Sequence, residues 1–224
     1  MESVVISPYI QPLELRRAVY TSDLERLLDE GTPTFVLSAA RVLARSRTTD
    51  VYGLDLAVEA FLRVADELPT SRLALFVALP PRSPRARAYL GNLLRRLEGV
   101  LPRERYAIVH GEALSGVFGH DVVLIRPSRT DGDAVSIREA LEAGRPVIAS
   151  DAVVRPEGTT LVPSGNADEL ADAMRRIASV EAETRAGSAA GNLSDDNATA
   201  VLQLYARLLA AAREACPPDG SGPY

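Results

Sequence analysis

Apolar residues along this chain follow two alternating rhythms. Phe35-Val36-Leu37, most of Arg72–Leu79, Tyr106–Val109, Val122–Ile125, Val147–Ala149 and Thr159–Val162 are short, nearly continuous apolar runs. A strand covered on both faces reads this way, because side chains pointing in either direction must leave water. Between these runs the period changes to that of a helix, with Leu54, Val58, Phe61, Leu62 and Ala65 on one stripe. Tyr89, Leu90, Leu93, Leu94 and Leu97 form a second stripe, and Leu170, Ala173, Met174 and Ile177 a third.

The punctuation agrees with the rhythm. Ser22-Asp23-Leu24-Glu25 is a capping box that opens a helix ending at Gly31, and Thr32-Pro33 breaks the chain before the first strand. A helix over 134–143 is stopped by Gly144 ahead of Pro146, and Asn166 with Glu169 repeats the N-cap logic. About six strands alternating with helices predict an α/β fold, a Rossmann-like, doubly wound parallel sheet.

Around this core, residues 1–33 read as a lead-in segment with a short helix, and 34–181 as the Rossmann-like domain. Residues 182–215 read as an Ala/Gly/Ser/Thr linker and a last amphipathic helix carrying Val201, Leu204, Tyr205, Leu208 and Leu209. The Pro/Gly-rich stretch 216–224 is expected to be a disordered tail.

Composition narrows the chemistry. With 224 residues, 46% hydrophobic and 25% charged, the chain can bury a full core, so global disorder is excluded. A net charge of -5 argues against a nucleic-acid partner. No apolar run approaches the roughly 20 residues of a membrane span, and the amino terminus lacks a basic signal region, so the expected location is cytoplasmic. One cysteine, Cys216, forms no intrachain disulfide, and no Cys/His cluster has zinc spacing, so no metal is expected. All 25 basic residues are arginine, which removes Schiff-base and P-loop lysine chemistry. Hydrolase-elbow and dinucleotide Gly-x-Gly-x-x-Gly motifs are absent as well.

In an open parallel sheet, ligands bind beyond the carboxyl ends of the strands. The richest of those loops is Arg126-Pro127-Ser128-Arg129-Thr130-Asp131-Gly132-Asp133, which runs from a buried strand into a helix. Free amides at Ala134, Val135 and Ser136, with the helix dipole, suit a phosphate or another anion. Two carboxylates, Asp131 and Glu139, flank that site. Either they cap the helix and face water, or they accept hydrogen bonds from sugar hydroxyls, for which an ionised oxygen is the stronger acceptor. His110, at a strand end, is either structural or a ligand contact. Arg155-Pro156-Glu157-Gly158 is either an ordinary turn or a loop that approaches the ligand.

The segment Pro127–Ser150, with Asp131 and Glu139 eight positions apart and then Glu-Ala-Gly-Arg-Pro-Val-Ile-Ala-Ser, resembles the donor-site segment of family 4 retaining glycosyltransferases of the GT-B fold. The likeness extends at lower fidelity from about Thr34 to Ile177. It implies that Glu139 binds ribose hydroxyls and Asp131 the donor sugar. The amides of Ala134, Val135 and Ser136, beside Gly132 and Asp133, would hold the diphosphate. Arg41 matches a family arginine that neutralises the leaving group, and His110 would lie near the base. A family lysine is replaced by Tyr52, so Arg45 or Arg47 would compensate.

The implied activity is transfer of a hexose, with retention, from a nucleoside-diphosphate sugar such as a UDP-sugar, with no metal. GT-B enzymes pair two Rossmann-like domains, and this chain matches the carboxyl-terminal one. The partner is then a missing N-terminal acceptor domain, on the same gene product or a separate chain, and any peripheral membrane association would come through that half. The rival readings are a non-catalytic or regulatory nucleotide-sugar-binding module and a nucleotide-sugar epimerase-like domain.

Overall fold

The computed structural model describes residues 20–30, 32–42, 44–46, 49–132, 134–180 and 197–215. The lead-in before residue 20, Arg47, Asp133, the 182–192 linker and the 216–224 tail lie outside the described residues.

The chain alternates α1 (Ser22–Glu30), β1 (Thr34–Ala39), β2 (Ala44–Ser46), β3 (Thr49–Asp50), α2 (Leu54–Val64), β4 (Arg72–Val77), α3 (Pro84–Glu98), β5 (Tyr106–His110), β6 (Val122–Arg126), α4 (Val135–Glu142), β7 (Val147–Ser150), β8 (Thr159–Val162) and α5 (Ala167–Ala178). Six strands form one parallel sheet in the order β5-β4-β1-β6-β7-β8. The first strand thus lies inside the sheet, and the chain winds outward from it in both directions. This is the Rossmann-like, doubly wound α/β fold that the apolar runs predict.

Strand periodicity divides the core into two layers. Phe35, Leu37, Leu73, Leu75, Val123, Ile125 and Ile148 point to one face, under α2, α3 and α5. Val36, Ala74, Phe76, Val122, Leu124, Val147 and Ala149 point to the other, under α1 and α4. Adjacent residues on one strand serve opposite layers, so each strand must be apolar at nearly every position. On the first layer Phe35 meets Phe61 of α2 edge to face, with ring centroids 6.2 Å apart.

Local signals set most of the boundaries. Asn166 caps α5, its side chain accepting from the amides of Asp168 and Glu169. The capping box near Ser22 differs from expectation: Ser22 is itself helical, and Glu25 reaches back to the amide of Tyr20 at 3.3 Å. A small antiparallel hairpin, β2 with β3, follows β1. Its two strands are too short to leave a periodic trace in the sequence.

The contact pattern assigns residues 14–193 to one compact unit and the amino-terminal 1–13 with 194–224 to another. The described part of the second unit is the helix α6 (Asn197–Ala215), on which Leu202, Tyr205, Leu208 and Leu209 are exposed. No helix among the described residues is long and apolar enough to cross a membrane.

Candidate functional site

The strand order reverses between β1 and β6, and the crevice outside the carboxyl ends of these two strands is where such sheets bind ligands. Leu37 of β1 pairs with Ile125 of β6, which puts Ser38 level with Arg126. Arg126 spans the gap, its Nη1 donating to the Ser38 carbonyl at 2.8 Å. Arg41 follows β1 by two residues and is exposed, with no ion pair or hydrogen bond among the described residues. The backbone of Arg45 lies in β2; its side chain is outside the described residues.

The loop from β6 to α4 is held by a polar network. Asp131 Oδ2 accepts from Arg126 Nε at 2.9 Å, Ser128 Oγ at 3.0 Å and Arg155 Nη1 at 3.1 Å. Its Oδ1 accepts from Arg126 Nη2 and from the amide of Gly132, each at 3.0 Å. Arg155 comes from the β7–β8 connection and also donates to the Ser150 carbonyl and to Ser128 Oγ, both at 3.1 Å. Ser150 Oγ in turn donates to the Ser128 carbonyl at 2.5 Å. Burial opposes the charge on Asp131, but the two arginines and Ser128 outweigh it and bring its pKa down to about 2.

A second clamp joins this loop to the amino end of α2. Arg129 meets Asp55 through two parallel hydrogen bonds of 2.8 and 2.9 Å, and donates to the Asp50 carbonyl at 2.7 Å. The fully buried Asp50 side chain accepts from the amides of Tyr52 and Leu54, which satisfies the first amide of α2. Gly53 lies between them at φ 75°, and a Cβ there would come within 2.4 Å of the Pro127 carbonyl oxygen. Only glycine allows both that backbone and that approach. The ring of Tyr52, which stands where the resemblance would have a lysine, lies under the Arg126 guanidinium at 5.3 Å.

α4 begins at Val135, one residue later than expected, with Ala134 at the cap position and no side-chain cap. The amides of Ala134, Val135 and Ser136 donate to no partner among the described residues. About one turn into the helix, the carboxylate of the half-buried Glu139 also has no hydrogen bond or ion pair among the described residues. Burial, reinforced by nearby Glu142, pushes its pKa up. A half-buried carboxylate with a raised pKa behind amides that have no partner among the described residues marks a candidate ligand site.

The structure therefore brings Gly132, Ala134, Val135, Ser136 and Asp131 together on one loop and helix end, with Glu139 behind them and Arg41 on the adjoining strand end. His110 stands apart. It is exposed at the end of β5, the edge strand, with β4 and β1 between it and β6. There its Nδ1 lies 3.3 Å from the Val77 carbonyl, and it borders a cavity of about 530 Å³ between α1 and β5. Arg126 and Asp55 were not singled out from sequence, and Tyr52 only as the replacement of a lysine. A charged residue closing the fully apolar run Val122–Ile125 was the available signal for Arg126.

The sequence matches the family model described as "Glycosyl transferases group 1" over residues 39–179, more than half the chain. The chain belongs to the group 1 glycosyltransferases. No curated protein matches it significantly. Among solved structures, this group 1 domain superposes on the isolated carboxyl-terminal domain of the group 1 glycosyltransferase LpcC from Francisella tularensis with a TM-score of 0.58 at 15% identity, covering 84% of this chain and 95% of that one. HepE from Anabaena in complex with UDP gives 0.63 at 16%, over 86% of this chain and 54% of HepE. α,α-Trehalose 6-phosphate synthase from Burkholderia multivorans gives 0.63 at 20%, over 84% of this chain and 46% of the synthase. At these identities the likeness is one of fold, and the chain spans about half the length of the latter two proteins.

Proposed function

We propose that this group 1 domain is the donor-binding half of a GT-B glycosyltransferase of family 4, which binds a nucleoside-diphosphate sugar and transfers its hexose with retention. The observation that carries this reading is the pairing of the amides at the start of α4 with the half-buried Glu139 carboxylate one turn behind them, neither of which has a partner among the described residues. A diphosphate suits the first, and a ribose diol, donating to an ionised carboxylate, suits the second.

In the mechanism that follows, the amides of Ala134, Val135 and Ser136 and the α4 dipole take up charge as it develops on the departing diphosphate. Arg41 adds an exposed cation from just beyond the end of β1. Such groups lower the barrier because the charge they stabilise grows in the transition state. The proposal assigns the site no metal. The acceptor and any general acid or base would come from an amino-terminal GT-B domain that faces this rim, on the same gene product or on a second chain, and any attachment to a membrane surface would come through it.

The HepE neighbours, solved with UDP and with UDP-glucose, favour a uridine donor as the first to try. A second reading, a nucleotide-sugar-binding module without transfer, is favoured by Tyr52 at the lysine position. Calorimetric titration with UDP, GDP, ADP and dTDP and their sugars tests the donor site. One series should bind, and Glu139→Ala should weaken it by roughly 1.5–3 kcal/mol, the scale of a charged hydrogen bond. No binding by any series would refute the donor site. Binding with no sugar transfer, in the presence of the amino-terminal half, would leave only the binding module.

A further inference from the structure

The polar network at the β6–α4 loop is built into the interior. Arg126 and Arg155 share a single carboxylate, Asp131. Their side chains are 11% and 1% exposed, and that of Asp131 is 11% exposed. Arg129, the remaining arginine of the loop, pairs with Asp55, and the buried Asp50 carboxylate, which accepts from the amides of Tyr52 and Leu54, adds its negative charge to that pair.

Asp131 is also full. A carboxylate offers about four lone-pair positions, and Asp131 already accepts from Arg126 Nε and Nη2, Arg155 Nη1, Ser128 Oγ and the Gly132 amide. No acceptor remains for a hydroxyl. Arg126, by contrast, has N–H groups to spare. Of the five that a guanidinium carries, two go to Asp131 and one to Ser38, which leaves one on each Nη.

We propose that Asp131 and Arg155 are positioning residues that fix Arg126 as the buried cation at the diphosphate end of the site, so that Asp131 acts on the phosphates through Arg126 and does not read the sugar. This inference rests on the donor-site reading above. Four parts of the chain hold the guanidinium: Ser38 on β1, the Tyr52 ring ahead of α2, Asp131 on the loop, and Arg155 through Asp131. A cation fixed in advance stabilises an arriving anion without a cost of reorganisation. The two free N–H groups of Arg126, held away from water, make stronger hydrogen bonds to an ionised oxygen than to a neutral one, so a diphosphate is favoured over a neutral ligand in the same place.

The test uses the full chain and calorimetry with the uridine, guanosine, adenosine and thymidine series, each as monophosphate, diphosphate and diphosphate-glucose. In the series that binds, Asp131→Asn should weaken the diphosphate and the diphosphate-glucose by the same factor, at least about tenfold, the scale of one charge-assisted hydrogen bond. The monophosphate should change much less. Arg126→Gln should do the same, Arg155→Met should follow, and Arg155→Lys, which keeps the charge, should recover part of the loss. Should Arg155→Met fail to fold, the isosteric Asp131→Asn decides alone.

Three results would overturn the lock. One is a loss confined to the diphosphate-glucose in Asp131→Asn, which would make the carboxylate a reader of sugar. Another is tighter diphosphate binding in that variant, which would mean that only bulk charge matters. The third is wild-type affinity in Arg126→Gln. If the unaltered protein binds no series, the donor-site reading falls and the lock falls with it.

Discussion

At the carboxyl ends of the parallel strands two arginines close on one carboxylate, whereas at the amino ends one histidine stands between two. His120, just before β6, places Nδ1 2.9 Å from Asp29 Oδ1 and Nε2 3.8 Å from Glu25 Oε2, tying α1 to the sheet. The side chains there are 21–66% exposed, against 1–11% for Arg126, Asp131 and Arg155. Water and salt screen the first cluster, so its charges act nearly independently. In the second, each charge depends on the others, because removing one strands its partner in a medium that cannot solvate it. A similar count of charged groups thus serves as a surface tie at one end and as a preorganised electrostatic device at the other.

The largest effect that separates the two ends is Arg155→Met. It takes a donor away from three buried acceptors, the Ser150 carbonyl, Asp131 Oδ2 and Ser128 Oγ, and should destabilise the protein by roughly 3–5 kcal/mol, at about 1–3 kcal/mol for each buried polar group left short of a partner. Urea unfolding measures this directly, and a loss near zero would make the rim no different from the surface tie.

Gly53→Ala tests packing at the same rim without touching a charge. The left-handed backbone and the overlap with the Pro127 carbonyl should together cost roughly 2–4 kcal/mol. Thermal unfolding gives the value, and an unchanged melting temperature would show that α2 and the Pro127 loop do not press on each other as described.

The pH dependence sharpens the contrast. The Asp131 pKa is lowered in the folded state from 3.8 to about 2, so its contribution to stability is complete above the unfolded value and is lost as pH falls from there toward 2. Asp131→Asn should therefore be less stable than the unaltered protein at neutral pH, with the difference shrinking through that acid window. A difference independent of pH would mean that the carboxylate is not held ionised by its arginines.

The smallest effect should come from the amino end. Asp29→Asn removes one partner of His120 from an exposed pair and should cost less than about 1 kcal/mol, decreasing with added salt. A loss comparable with that of Arg155→Met would erase the distinction between the two clusters.

The pattern of apolar runs carried the sheet because a doubly covered strand has no freedom to be polar on either face. The β2–β3 hairpin carried no such pattern, since two very short strands against solvent are constrained mainly by their turn. Asp131 and Glu139 were legible as a pair from their spacing around the start of α4, and the open amides followed from the helix end itself. The network around Asp131 was not. It joins Asp131, on the loop after β6, to a residue 24 positions later on the β7–β8 connection, and only the strand order brings these together. His110 was selected by the rule that ligands gather at strand ends. That rule treats all strand ends alike until the order of the sheet puts β5 at its edge.

The most direct measurement is an amide proton–nitrogen correlation spectrum of the isotopically labelled protein, recorded as UDP, GDP, ADP and dTDP are added in turn. The donor-site account predicts that one of them moves the resonances of Gly53, Gly132, Ala134, Val135, Ser136 and Glu139 while those of Glu25, Asp29 and His120 stay in place. Shifts confined to α1 and β5, or no shifts with any of the four, would contradict it.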